Sequence, residues 1–193
     1  MRTSSLINVH HKGIFGNFEG KDKNSLLKIK ELKNLKVYQI VKYKKSKIDL
    51  SNISIDTLKL PEILKVSFNQ TTRIIWMGPN NWILVSENKE LEQNINNSIS
   101  KEDFAITDLS HSRTIIEIEG DLVTEVIKKG CPLNIENLKA GNCSNSVFHA
   151  ITITLDFVSD DPKKIRIFAL RSFGESLYHS ITDASLEFGF QSI

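Results

Sequence analysis

The chain has 193 residues, 40% of them hydrophobic and 25% charged, with a formal net charge of +2 at pH 7. This balance sits near globular norms and allows a sizeable buried core. No apolar run reaches the roughly 18–20 residues of a membrane span, and the opening MRTSSLINVHHKGIFG lacks the apolar centre of a secretory signal. Cys131 and Cys143 are the only cysteines, with no CxxC motif and no disulfide framework, which fits a reducing cytosol. A cytoplasmic protein without membrane contact is expected. The small net charge hides an asymmetry: residues 1–50 hold twelve Lys/Arg against four Asp/Glu, and the remainder thirteen against nineteen. A basic half raises nucleic acid as a partner. The excess is lysine rather than arginine, however, and only Tyr38 and Tyr43 interleave its densest part, so stacking platforms are few. No nucleic-acid partner is expected; a basic edge that docks on an acidic partner is the preferred reading.

In chain order, residues 1–34 show no clear periodicity apart from Leu26, Leu27, Ile29 and Leu32, which suit a short turn or helix, and six lysines lie between Lys12 and Lys33. They read as a basic N-terminal arm, poorly packed alone. Residues 35–193 read as one compact domain of two similar halves, about 35–103 and 104–193. Leu35–Val41 is the first strand, rich in β-branched and aromatic residues. The polar stretch that follows, up to Pro61, reads as a long surface connection. Arg73–Met77 and Trp82–Val85 form a hairpin across Gly78-Pro79-Asn80-Asn81, with Trp76 and Trp82 placed to stack across the turn. Leu91, Ile95 and Ile99 give Glu90–Ile99 a helical stripe.

Phe104–Thr107 is a short strand leading into Asp108, and Thr114–Glu119 is another, with Ile116 and Ile118 facing one way and Glu117 and Glu119 the other. A helix follows, in which Asp121 is placed as N-cap, Leu122, Val123, Val126 and Ile127 form the apolar stripe, and Lys128 and Lys129 suit the carbonyl end. Gly130 is placed as a left-handed stop before Pro132. Glu136–Val147 reads as a loop carrying Gly141 and Cys143. His149–Phe157 alternates cleanly, with Ile151, Ile153, Leu155 and Phe157 inward and Thr152, Thr154 and Asp156 outward. Ile165–Leu170 is its antiparallel partner. Ser172 and Glu175 have capping-box spacing, and Phe173, Leu177, Ile181, Ala184 and Phe188 line one face of a last helix that Gly189 stops. The fold class is therefore α+β with antiparallel sheets; no regular β-α-β alternation is present.

Candidate chemistry is sparse. Asp108, Ser110 and His111 suggest a hydrolase, but three residues within four positions at a strand end cannot easily converge as nucleophile, base and orienting group. A turn in which Asp108 and Ser110 bond the local backbone is preferred. His10, His11, His111, His149 and His179 form no H-x-x-x-H pair, so a zinc site is not indicated. Cys131 reads as a small buried residue. GxGxxG and GxxxxGK[ST] loops are absent. Arg171, between strand and helix, can hold a carboxylate or phosphate, but a structural role, for example toward Glu175 or a partner's acid, is favoured. An interaction subunit follows as the first hypothesis.

Four ordered pieces then carry a resemblance: WMGPNNWILV (Trp76–Val85), DLSHSR (Asp108–Arg113), KGCPLNI (Lys129–Ile135) and RSFGESLYHSITDASLEFG (Arg171–Gly189). Together they resemble the gamma subunit of heterotetrameric sarcosine oxidase, over about Arg73 to Gly189. The resemblance implies a fold like the folate-binding domain of glycine-cleavage T-protein, with two similar subdomains of antiparallel sheet and packed helices. It also implies a complex with alpha, beta and delta subunits that oxidatively demethylates sarcosine to glycine. In such complexes the one-carbon unit passes to tetrahydrofolate as 5,10-methylenetetrahydrofolate, and oxygen is reduced to hydrogen peroxide. FAD, FMN, NAD, zinc and tetrahydrofolate are expected on the other subunits. This chain would then be the non-catalytic part of an oxidoreductase, with no catalytic, cofactor or metal residue carried over. The alternatives are a folate-binding module, for which Asp108 near Trp76 or Trp82 is the one candidate, a subunit of a related N-methyl amine (dimethylglycine-type) oxidase or dehydrogenase, and an independent hydrolase using Ser110 or Cys131. Lys21–Lys47 and Glu136–Val147 are the segments expected to meet partners.

Overall fold

The computed structural model describes residues 3–193, and the chain divides into two compact units. One comprises residues up to 33, 112–140 and 144–193; the other comprises 34–111 and 141–143. The first begins with strands β1 (Gly13–Phe15) and β2 (Leu27–Glu31). The second contains β3 (Lys36–Lys42), β4 (Ser54–Ile55), β5 (Leu58–Lys59), β6 (Val66–Phe68), β7 (Thr72–Gly78), β8 (Asn81–Ser86), helix α1 (Leu91–Ser98) and β9 (Phe104–Asp108). The chain then adds β10 (Arg113–Glu119), α2 (Val123–Gly130), β11 (Cys143–Phe148) and β12 (Ile151–Asp160). It ends with β13 (Lys163–Leu170), α3 (Gly174–Ser185) and β14 (Phe190–Ser192).

Seven strands run in the order β1-β14-β2-β10-β13-β12-β11 and five in the order β6-β7-β8-β3-β9. The pairs in register are antiparallel, apart from β2 with β14. The α+β class with antiparallel sheets holds. In the seven-stranded unit, alternation turns Leu27, Ile29, Ile116, Ile118, Leu155 and Ile167 to one face of the sheet. Val123, Val126 and Ile127 of α2 and Leu177 and Ile181 of α3 belong to the same core. Each such side chain contributes about 1.5–3 kcal/mol when fully buried. In the five-stranded unit, Ile40, Ile74, Trp82 and Leu84 share a core with Leu91 and Ile95 of α1.

Residues 3–33 are not a loosely packed arm. Leu6, Leu27 and Ile29 are fully buried, or nearly so, in the first core. Two of the lysines that made this segment look solvated, Lys28 and Lys30, are used by the sheet, and Leu27 and Ile29 lie in strand β2 rather than in a turn or helix. β2 alternates LKIKE, so Lys28 and Lys30 share a face and meet Glu119 and Glu117 of β10 at 3.1 and 3.0 Å. The basic segment and part of the acidic remainder are thus cross-strand partners. The strand expected to open the second half, β9, pairs instead with β3, so it belongs to the five-stranded sheet.

Five further expectations change. The stretch after Val41 is not a bare connection: Leu50–Asn52 is a 3-10 turn, β4 and β5 form a small hairpin, and Ile53 and Ile55 join the second core. Asp56 anchors this hairpin, accepting hydrogen bonds from the Thr72 hydroxyl and from the Asn94 amide at 3.2 Å. The loop 136–147 contains β11, and His149 is not in a strand; His149 and Ala150, with φ of 43° and 67°, make the tight turn into β12. Asp121 does not cap α2, because the N-cap position is Leu122 with no side-chain cap. Gly130 is not left-handed but ends the helix in close approach, where a Cβ would fall 2.8 Å from the Phe148 and His149 rings.

At α3 the capping box is not made. Arg171–Phe173 forms a 3-10 turn, Phe173 occupies the N-cap position, and Glu175 accepts instead from the Asn8 amide at 3.0 Å. Phe173 is exposed, so the buried stripe of α3 begins at Leu177. Gly189 does stop the chain in the left-handed region, at φ 74°, where a Cβ would lie 2.6 Å from the Asn17 carbonyl.

Candidate functional site

The Asp108–His111 stretch is the first place to look for chemistry, and it is a turn. The Ser110 N–H donates to Asp108 Oδ1 at 2.7 Å, and Ser110 Oγ accepts from the Val37 N–H at 2.9 Å. Its hydroxyl is buried and engaged with the β3 backbone, while His111 is exposed. Among the described residues no base addresses the Ser110 oxygen, so the hydrolase arrangement is not assembled there. Cys131 is buried and donates from Sγ to Ser146 Oγ at 3.2 Å; Cys143 is buried with its Sγ 3.3 Å from the Lys65 carbonyl and 3.4 Å from that of Trp76. Both behave as small packed residues.

Asp108 is not beside the two tryptophans. Trp76 and Trp82 are direct partners across the β7–β8 hairpin. Trp82 is buried, with its indole N–H directed at the Pro61 carbonyl at 3.4 Å. Asp108 lies two strands from Trp82 and two residues further along the ladder, roughly 12 Å away by ordinary strand spacings. The carboxylate and the indoles named for the folate-binding alternative are therefore not in direct contact. Among the described residues, no group of three or more His, Cys, Asp or Glu side chains is placed to hold a metal ion. Arg171 has a structural role: its guanidinium donates to the Thr3 carbonyl and its N–H to the Ser112 carbonyl at 2.9 Å, tying the start of α3 to both segments.

The strongest charge constellation is one that sequence periodicity assigned to an outer, polar face. The β registers place Lys30, Glu117, Arg166 and Asp156 in one row across four strands. Glu117 is almost wholly buried and meets Arg166 Nε at 2.8 Å and Lys30 Nζ at 3.0 Å; Asp156 is fully buried. Burial alone would push the Glu117 carboxyl up, but the hydrogen bond and charge of Arg166, joined by those of Lys30, outweigh it and hold the group below the ordinary carboxylate range. A carboxylate so held is a poor proton acceptor, and both of its oxygens have cationic partners. The row is an ionic ladder that fixes register, not an acid–base centre. Its only sequence signal was the pairing of KIK with EIE, which needs the strand order to be recognised.

The geometry thus offers a shaped protein surface without a reactive constellation among the groups above. Residues 52–187 match the sarcosine oxidase gamma subunit family. The chain belongs to that family. Two gamma subunits of sarcosine oxidase are similar in sequence: that of Corynebacterium sp. strain U-96 is 28% identical over 123 residues, and that of strain P-1 is 27% identical over 128. These alignments cover 61% and 63% of this chain and 58% and 61% of the relatives' own lengths. In structure, a chain of the heterotetrameric sarcosine oxidase from Corynebacterium sp. U-96, in complex with pyrrole 2-carboxylate, superposes with a TM-score of 0.78. That match is 19% identical and covers 97% of this chain and 96% of the other. Glycine cleavage aminomethyltransferase T from Bartonella henselae superposes at 0.59, 10% identical, over 81% of this chain and 45% of that one. The fold of the gamma subunit family is therefore the T-protein-like one that the motifs implied. Within the family match lie all four motif pieces except the last two residues of the fourth, Phe188 and Gly189.

Proposed function

We propose that this chain is the non-catalytic gamma subunit of a heterotetrameric sarcosine oxidase. The complex oxidatively demethylates sarcosine to glycine, passes the one-carbon unit to tetrahydrofolate and reduces oxygen to hydrogen peroxide. The observation that carries this reading is the family match over residues 52–187. In this reading FAD, FMN, NAD, zinc and folate reside on the alpha, beta and delta subunits, and this chain contributes a rigid folded surface. Its charged row and its two thiols support that part: each is engaged by internal structure. Selectivity for sarcosine over other N-methyl amines would then lie in the partner chains.

The test is co-expression with the alpha, beta and delta subunits of the same organism, with and without this chain. Sarcosine-dependent peroxide formation should require the four-chain preparation, and Ser110→Ala and Cys131→Ala should retain at least half of it. Full activity of a complex lacking this chain would refute an essential role. Loss of activity in an assembled Ser110→Ala complex would refute the non-catalytic reading.

A further inference from the structure

Residues 3–10 precede the first strand and are held to the seven-stranded unit by a short series of contacts. Leu6 is fully buried in the core of that unit. The Val9 and His10 N–H groups donate back to the Leu6 carbonyl at 3.1 and 2.8 Å, which closes a turn over residues 6–10. The Ser4 and Ser5 hydroxyls donate to the Glu31 carboxylate of β2, and the Asn8 amide donates to Glu175 of α3 at 3.0 Å. His10 completes the series. Its ring packs T-shaped on that of Tyr178, with centroids 5.4 Å apart and planes at 67°. Its Nε2 is buried and, alone among the buried side-chain nitrogen and oxygen atoms of the described residues, has no hydrogen-bond partner.

A neutral imidazole tolerates this position, because one of its ring nitrogens carries no proton. An imidazolium does not. Both nitrogens are then donors, and a buried donor without an acceptor gives up its hydration for nothing. The neighbouring charges act mostly in the same direction. Lys33, just past β2, and His11 and Lys12 on the same segment oppose a cation at His10. Glu31 favours one, but its oxygens already receive Ser4, Ser5 and Lys33. From α3, Tyr178 meets the ring itself and Glu175 takes Asn8, while His179 and Asp183 line a hollow with His11. Burial first, and the Lys33 charge after it, hold the His10 imidazole below the ordinary histidine range.

We propose that residues 4–10 form an acid-sensitive latch: protonation of His10 frees the segment and draws Leu6 out of the core, while the rest of the unit stays folded. The sign follows from linkage. A group held below its unfolded value, about 6.5 for histidine, lends stability that is fully present above that value. This contribution is lost as pH falls through the folded value. Histidine is also the side chain that changes charge between about pH 5 and 8, so a release in that window belongs to the imidazole. The latch does not depend on the proposed subunit role, since every group in it belongs to this chain.

The test is amide hydrogen exchange of the full chain at pH 8 and pH 5, read by mass spectrometry and corrected for the intrinsic exchange rate at each pH. Peptides spanning the Val9 and His10 amides are compared with peptides from β12. The proposal predicts that protection of the first group falls by about fivefold or more between the two pH values. Protection of β12 should stay within about twofold, as expected of core strands that open only with the whole fold. His10→Phe keeps a ring against Tyr178 without a titrating group and should abolish the fall, whereas His11→Gln should preserve it. Unchanged protection in the wild-type chain overturns the proposal, as does an equal fall in folded His10→Phe. If His10→Phe does not fold, NMR titration of the His10 ring in the wild-type chain decides: a midpoint below about 6.5 supports the latch, and one at or above it overturns it.

Discussion

Glu117 is the residue whose environment makes the clearest demand. Its folded-state carboxyl lies below the unfolded value, because Arg166 and Lys30 outweigh the cost of burial. A depressed carboxylate contributes stability that is fully present above the unfolded pKa, about 4.3, and is lost as pH falls through the folded value. Glu117→Gln should therefore lower stability by about 1–3 kcal/mol near neutral pH. The gap from wild type should narrow as pH drops below about 4, as read from urea midpoints at several pH values; a gap that widens in acid would contradict the ladder. Gly130 makes a different demand. Its φ is unremarkable, so backbone freedom is not the issue; the Phe148 ring, fully buried, leaves no room for a Cβ. Gly130→Ala should destabilise by about 1–3 kcal/mol through overpacking. Gly78→Ala, where a Cβ would meet nothing within 4 Å, should be close to neutral by the same urea titration. Equal effects would show that the close approach is not what selects glycine at 130.

At the scale of elements, the β11–β12 hairpin turns through His149 and Ala150, both with positive φ. A left-handed conformation costs a residue with a Cβ roughly 1–2 kcal/mol, partly offset in glycine by the entropy it loses on folding. Ala150→Gly should raise the thermal midpoint by a few degrees; an unchanged or lower midpoint would argue against a strained turn. This hairpin also marks the limit of what was legible from the residues alone. Strands with strong alternation, such as β12 and β10, and the β7–β8 hairpin with its Gly-Pro-Asn-Asn turn were readable because local chemistry decides them. β11 and β14 were not: CSNSVF and FQS are short and polar, and neighbouring strands rather than propensity hold them in the sheet. The helix caps failed for a similar reason. Asp121 and Ser172 have capping side chains at fitting spacings, but tight turns at Gly120–Leu122 and Arg171–Phe173 shift each helix start beyond them.

For the whole molecule, the lysine-rich beginning was misread because charge was counted along the chain while the sheet pairs it across strands. Lys28 and Lys30 looked like a solvated run until β10 supplied Glu119 and Glu117. The motif pieces, in contrast, were specific because they are structural. They supply the β7–β8 hairpin, the Asp108–Ser110 turn, the packed exit of α2 at Gly130 and the left-handed stop at Gly189. No helix among the described residues is long and apolar enough to cross a membrane. The most direct test of the central claim is native mass spectrometry of the four co-expressed chains, joined to an absorption spectrum of this chain purified alone. The account predicts one copy of the chain in the intact assembly and a colourless isolated protein. An assembly of the proposed partner subunits that excludes this chain, or an isolated chain that carries flavin, would contradict it.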